Sequence, residues 1–88
     1  MRIFKYPIAS VDDVVEVEMP FEAYILDVQM QHGRPVIWAM VDPDSGLVKR
    51  HFQVVGTGNH VNFRVRPLYV GTVQDGSFVW HFFDLGIA

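Results

Sequence analysis

The residues best suited to binding are gathered in one stretch, Phe52 to Pro67, which holds Gly56-Thr57-Gly58, then His60, then Arg64 and Arg66. Glycine takes backbone angles closed to other residues, so neighbouring N–H groups can converge into a nest for an anion, to which Thr57 adds a hydroxyl. Arg64 and Arg66 stand two apart, which on an extended chain sends both guanidinium groups to one side, where each can grip phosphate or carboxylate through paired donors. Phe63, just before them, makes the mixture suited to a base plus a phosphate. Lys49 and Arg50 lie on the other side of the glycines, so four of the seven basic residues flank them. The candidate ligand-binding set is therefore Lys49, Arg50, Gly56, Thr57, Gly58, His60, Arg64 and Arg66. The competing reading is a strand-ending turn with solvated arginines. The spacing fits neither a phosphate-binding loop ending in lysine nor a dinucleotide fingerprint.

Other chemistry finds less support. The histidines, His32, His51, His60 and His81, form no short ligand pair, and the chain has no cysteine, so no metal site and no cofactor are expected. Asp42 and Asp44 flank a proline in a turn, where aspartate caps its own backbone. Glu16 and Glu18 alternate with valines and face water. No nucleophile, base and orienting group can be put together, and the expectation is a protein that is not an enzyme.

Half the residues are apolar and 14% aromatic while 19% are charged, too apolar a balance for disorder. The chain of 88 residues is read as one domain, residues 1–88, without internal repeats. A net charge of −3 argues against general nucleic-acid binding, with most acids in the N-terminal half, Asp12 among them. No apolar run is long enough for a membrane helix, and the opening residues lack the apolar core of a signal peptide, so a cytoplasmic protein is expected.

The elements that must position the candidate site are strands, because β-branched and aromatic residues dominate and turn signals recur throughout. Strands are expected at residues 2–6, 14–19, 22–31, 35–41, 47–55, 68–74 and 78–83. In the third, Leu26, Val28 and Met30 face one way and Asp27, Gln29 and Gln31 the other, with Ile25 out of phase. His32-Gly33-Arg34 and Asp75-Gly76-Ser77 mark hairpins, and Asp42 to Gly46 is a further turn. On the fifth strand Lys49, His51 and Gln53 share one side, and Val48, Arg50, Phe52 and Val54 the other. Gly71 signals a bulge or a close approach of backbones. The fold class is all-β: an antiparallel meander of six to seven strands closed into a small barrel or stacked as a sandwich. A core this small cannot bury all the aromatic rings, which implies a homo-oligomer.

Six short segments carry a resemblance: Met1-Arg2-Ile3-Phe4-Lys5-Tyr6-Pro7, Glu18-Met19-Pro20, Trp38-Ala39-Met40-Val41-Asp42-Pro43, Gly56-Thr57-Gly58, Tyr69-Val70-Gly71-Thr72-Val73 and Phe78-Val79-Trp80-His81-Phe82. In this order the chain resembles a family of small proteins of unknown function encoded by phages and prophages. It departs from that pattern after the glycines, where Asn59 intervenes before His60 and Val61 replaces a proline. The resemblance implies a viral accessory protein acting in the cytoplasm of an infected bacterium, and carries over no catalytic residue. The function expected is sequestration, by an oligomer, of a small nucleotide signal used in host defence. The alternatives are an inhibitor that blocks a host defence protein, in the manner of an anti-CRISPR, and a virion or assembly protein.

Overall fold

The computed structural model describes all residues except Asp12, Val65 and Ala88. Asp12, counted among the N-terminal acids, and Val65, between the paired arginines, therefore lie outside the described residues. Seven strands and no helix are found among the rest: β1 (Arg2–Pro7), β2 (Val14–Pro20), β3 (Tyr24–Gln31), β4 (Arg34–Val41), β5 (Leu47–Gly56), β6 (Leu68–Asp75) and β7 (Phe78–Ile87). They form two antiparallel sheets, β1-β4-β3 and β2-β5-β7-β6, stacked as a sandwich and not closed into a barrel.

Two tight turns set the local pairings. His32 and Gly33 both take positive φ, 51° and 79°, the type I′ geometry whose twist matches a hairpin, and they join β3 to β4. Gly76, at φ 59°, leads the two-residue turn between β6 and β7. Only these two hairpins pair consecutive strands, so the expected meander order does not hold. The reason lies at β4, which is flanked by β1 on one side and β3 on the other and has no free edge for β5. The turn at Asp42 to Gly46, closed by Ser45 N–H to Asp42 C=O and by Asp44 N–H to the Asp42 carboxylate, instead carries the chain to the other sheet. There β5 pairs with β2 and β7.

Alternation delivers one face of each sheet to the core. Ile37, Ala39 and Val41 of β4 are fully buried against Met19, Phe52, Val54, Val73 and Phe82 of the facing sheet, and Ile8 follows β1 into the same cluster. Tyr6 packs at its margin, where burial pushes the phenol above its ordinary pKa and keeps it neutral. Ile25 was out of phase for a reason: the register of β3 against β4 shifts between Ile25 and Asp27. The bulge lets Ile25 and Val28 both turn inward while Leu26 is exposed.

The sheets close on each other along β3 and β6. Gly71 lies at a register shift in β6, and a Cβ there would fall 2.9 Å from Val28 Cγ1 and 3.2 Å from Asp27 Oδ1. Bulge and close approach thus coincide at this residue. Gly71→Ala is expected to lower stability by about 1–3 kcal/mol through overpacking. Gly46→Ala, where nothing lies within 4 Å, is expected to stay within about 0.5 kcal/mol of wild type. Urea unfolding of the two variants measures both.

Candidate functional site

The Gly-Thr-Gly stretch is a turn at the end of β5. Asn59 N–H donates to Gly56 C=O at 3.0 Å and Thr57 N–H to Val79 C=O at 3.1 Å, while Gly58 takes φ 86°. These bonds fit a type II turn, with glycine where a side chain would be strained. One of the amides expected to form an anion nest, that of Thr57, is thereby already used. Gly56 is held for a second reason, since a Cβ on it would meet the Asn59 amide at 2.9 Å and the Trp80 ring at 3.2 Å.

Thr57 has a defined task. Its hydroxyl bonds to His81 Nε2 at 2.7 Å, His81 Nδ1 bonds to the Thr72 hydroxyl at 3.0 Å, and the Tyr69 hydroxyl completes the chain on Thr72. This ladder runs across the outer face of the four-stranded sheet and pins the start of the 57–67 loop to it. Further along, Phe63 packs edge-on against Phe83 with ring centroids 5.0 Å apart, and Phe83 packs the same way against Tyr69 at 5.7 Å. The loop is thus fastened over the sheet at two points.

The cations separate. Arg50 points into the sandwich: Nε and Nη2 donate to Asp84 at 3.1 and 2.6 Å, and Nη1 donates to the Ala23 carbonyl at 2.8 Å. Its side chain is 16% exposed and that of Asp84 5%. With those donors committed, Arg50 ties elements of the sandwich together and stands apart from Lys49 and Arg64. Lys49 faces outward, exposed, 3.8 Å from Glu16. His60 and Arg66 are exposed on the loop. The candidates are divided among separate hollows: Gly56 and Thr57 line one beside Phe78 and Trp80, Arg50 lines the groove between β3 and β6, and Arg64 lines a cleft with an aromatic ring and two amides beside it.

That cleft lies on the outer face of the four-stranded sheet and has a volume of about 480 Å³. Phe63 and Asn62 stand with Arg64 on the loop side, His51 and Gln53 form part of its floor, and Leu85 to Ile87 wall it at the end of β7. Asp13, at the rim, accepts from the Gln53 amide through both its carbonyl and its carboxylate. His51 is oriented by Glu16, whose Oε2 lies 3.1 Å from Nε2, while the buried Nδ1 has no partner. Alternation along β5 puts His51 and Gln53 on one side of the strand but does not join them to Arg64. The signal that Asn62 and Phe63 belong with them was their adjacency to Arg64.

Among the described residues no three histidine, aspartate or glutamate side chains stand close enough to hold a metal, and no helix is long and apolar enough to cross a membrane. The chain belongs to the family described as a domain of unknown function (DUF7352), whose model matches residues 1–86. No curated protein and no solved structure matches it.

The two arginine roles are separable by stability. Asp84→Ala, which strands the Arg50 guanidinium between the sheets, is expected to cost about 3–5 kcal/mol. Arg64→Ala is expected to change stability by no more than about 0.5 kcal/mol. Denaturant midpoints of the purified variants decide the matter, and equal effects would place both arginines in the same class.

Proposed function

We propose that this protein is a non-enzymatic binding domain that holds a small nucleotide in the cleft on the four-stranded sheet, with Arg64 on its phosphate and Phe63 against its base. The observation that carries the reading is the convergence in that cleft of an arginine, an aromatic ring and the amides of Asn62 and Gln53. Its volume of about 480 Å³ falls within the range of small-molecule sites. A guanidinium fork suits phosphate oxygens, a ring face suits any base, and the Asn62 amide with the Gln53 carbonyl oxygen can meet the edges of a heterocycle. Asp13 keeps the opposite rim acidic, which favours a ligand with its negative charge at one end.

The reading of the protein as a binding domain draws support from the same geometry. His51 is oriented by Glu16, yet its Nδ1 meets no hydroxyl it could activate. His81 is bonded to threonine hydroxyls on both nitrogens, with no carboxylate to stabilise a developing imidazolium. Retention of an intact ligand is what such a site supports. The resemblance to phage and prophage proteins supplies the setting: a cytoplasmic accessory protein of an infected bacterium that removes a nucleotide signal of host defence by oligomeric sequestration.

A second reading has its own observation. Tyr24, Leu26, Leu68 and Tyr69 are exposed around one groove where β3 meets β6, and exposed aromatic and aliphatic side chains so grouped suit an inhibitor's contact with a host defence protein.

Titration calorimetry with cyclic and ADP-ribose-type nucleotides tests the first reading. Heat is expected at ligand concentrations of tens of micromolar or below. Arg64→Ala and Phe63→Ala should each weaken binding about tenfold or more with the far-ultraviolet circular dichroism unchanged. A panel without heat would sink the nucleotide reading. Capture of one host protein, lost on Tyr24→Ala with Tyr69→Ala, would replace it.

A further inference from the structure

The sandwich is closed along one side only. There β3 and β6 meet through Val28 and Gly71. On the other side β1 ends the three-stranded sheet and β2 ends the four-stranded one, each paired along a single flank. An edge strand keeps a row of backbone N–H and C=O groups that no ladder satisfies, and charge is the usual means of controlling what adds to it. Here charge is sorted by edge. β1 carries Arg2 and Lys5 and no acid, whereas β2 carries Glu16 and Glu18 and no base. Like charges oppose β1 against another β1 and β2 against another β2, and opposite charges favour β1 against β2.

The faces of the two strands also correspond. On β1, Phe4 and Tyr6 lie opposite Ala39 and Ile37 on the core side, while Ile3 and Lys5 lie on the outer side. On β2, Val15, Val17 and Met19 face the core, while Glu16 and Glu18 are exposed. Antiparallel pairing with Lys5 opposite Glu18 would set Phe4 beside Met19 and Tyr6 beside Val17. Apolar side chains then share one face and opposite charges the other. The strands have matching lengths, six and seven residues. Beside β2 lies an open groove of about 400 Å³, bounded on its far side by Pro7 to Ser10.

We infer that a second copy of this chain occupies both edges, each β1 adding to the β2 of the other. Because the β1 and β2 edges lie on the same side of the sandwich, away from where the β3 and β6 edges pack together, a twofold axis along the strands between the layers satisfies them in one operation. Each layer of the dimer becomes one continuous sheet in the order β3-β4-β1-β2-β5-β7-β6, with β1 and β2 from different copies. Val14, which lines the cleft, begins β2, so the cleft and the interface share a strand. This gives the oligomer of the proposed function its interface, and rests on that reading for the oligomer alone and not for the ligand.

Sedimentation velocity of the unliganded protein at tens of micromolar tests the inference, a dimer being expected. Lys5→Glu and Glu18→Lys should each weaken the dimer about tenfold or more, because every dimer holds the contact twice. An equimolar mixture of the two variants should restore it, since both pairings in the mixed dimer again oppose glutamate to lysine. Restoration also excludes simple unfolding as the cause of either loss. A wild-type monomer at these concentrations, a dimer indifferent to both reversals, or a mixture that stays monomeric would overturn the proposal. A monomer that binds nucleotide would leave the ligand site standing, and a dimer that binds none would leave the interface standing.

Discussion

The guanidinium of Arg50 ties the two sheets together from inside the sandwich. It spans from Asp84 on β7 to the carbonyl of Ala23, just before β3, so one side chain from the four-stranded sheet reaches the other layer. Placing a charge pair here carries a desolvation cost of several kcal/mol, which is offset only when the remaining hydrogen-bonding capacity is used. It is: Asp84 Oδ1 also accepts from Gly86 N–H at 2.8 Å. That extra bond has a consequence on the opposite face. The register of β5 against β7 shifts between His51 and Phe52, and Gly86 takes φ 85° beside the shift. The bulged segment Leu85 to Ile87 then forms a wall of the ligand cleft. A polar pair in the core thus shapes a site on the surface.

The rest of the sandwich follows from having two short sheets and more apolar residues than one interior can hold. β4 is apolar on both faces, so while Ile37, Ala39 and Val41 complete the core, Trp38 and Met40 are turned outward between Lys5, Ile3, Asp27 and Tyr24. The four-stranded sheet has the same surplus at Phe83, and the 57–67 loop covers it with Phe63. One outer face is therefore capped by the chain itself and the other is not. Capping is what turns a flat sheet into a concave surface: without the loop, His51 and Gln53 would be ordinary exposed residues on a strand.

How much of this could be read in advance depended on the range of the interaction involved. The strands and both hairpins were legible because alternation and positive-φ turn residues such as His32-Gly33 and Gly76 act over a few residues. Strand order was not, because whether β5 pairs with β4 depends on β1 having taken that edge from more than thirty positions away. Arg50 is a different case. Alternation along β5 already grouped it with Phe52 and Val54, the buried residues, and away from Lys49; proximity in sequence to the glycines outweighed that signal. For the nest, the deciding partner was Val79, across the sheet, which takes the Thr57 amide. Asn62 and Phe63 entered the cleft through a ring contact with Phe83, a pairing that no local pattern encodes.

A binding site on a loop ordinarily pays for its own ordering when the ligand arrives, which lowers affinity. Here much of that cost is met in the folded chain. Thr57 is fixed to His81 at the start of the loop, Phe63 is fixed to Phe83 in its middle, and Arg64 follows directly after the second anchor. Arg64, the residue proposed to meet a phosphate, is thus left free to adjust, while its neighbours hold the aromatic platform in place. The same division gives the glycines a structural task. Gly56 and Gly58 let the chain leave β5 sharply enough for the loop to fold back over the sheet, and Thr57 between them makes the first bond that keeps it there. The turn and the proposed binding site are successive parts of one device, the first setting the path that allows the second to form.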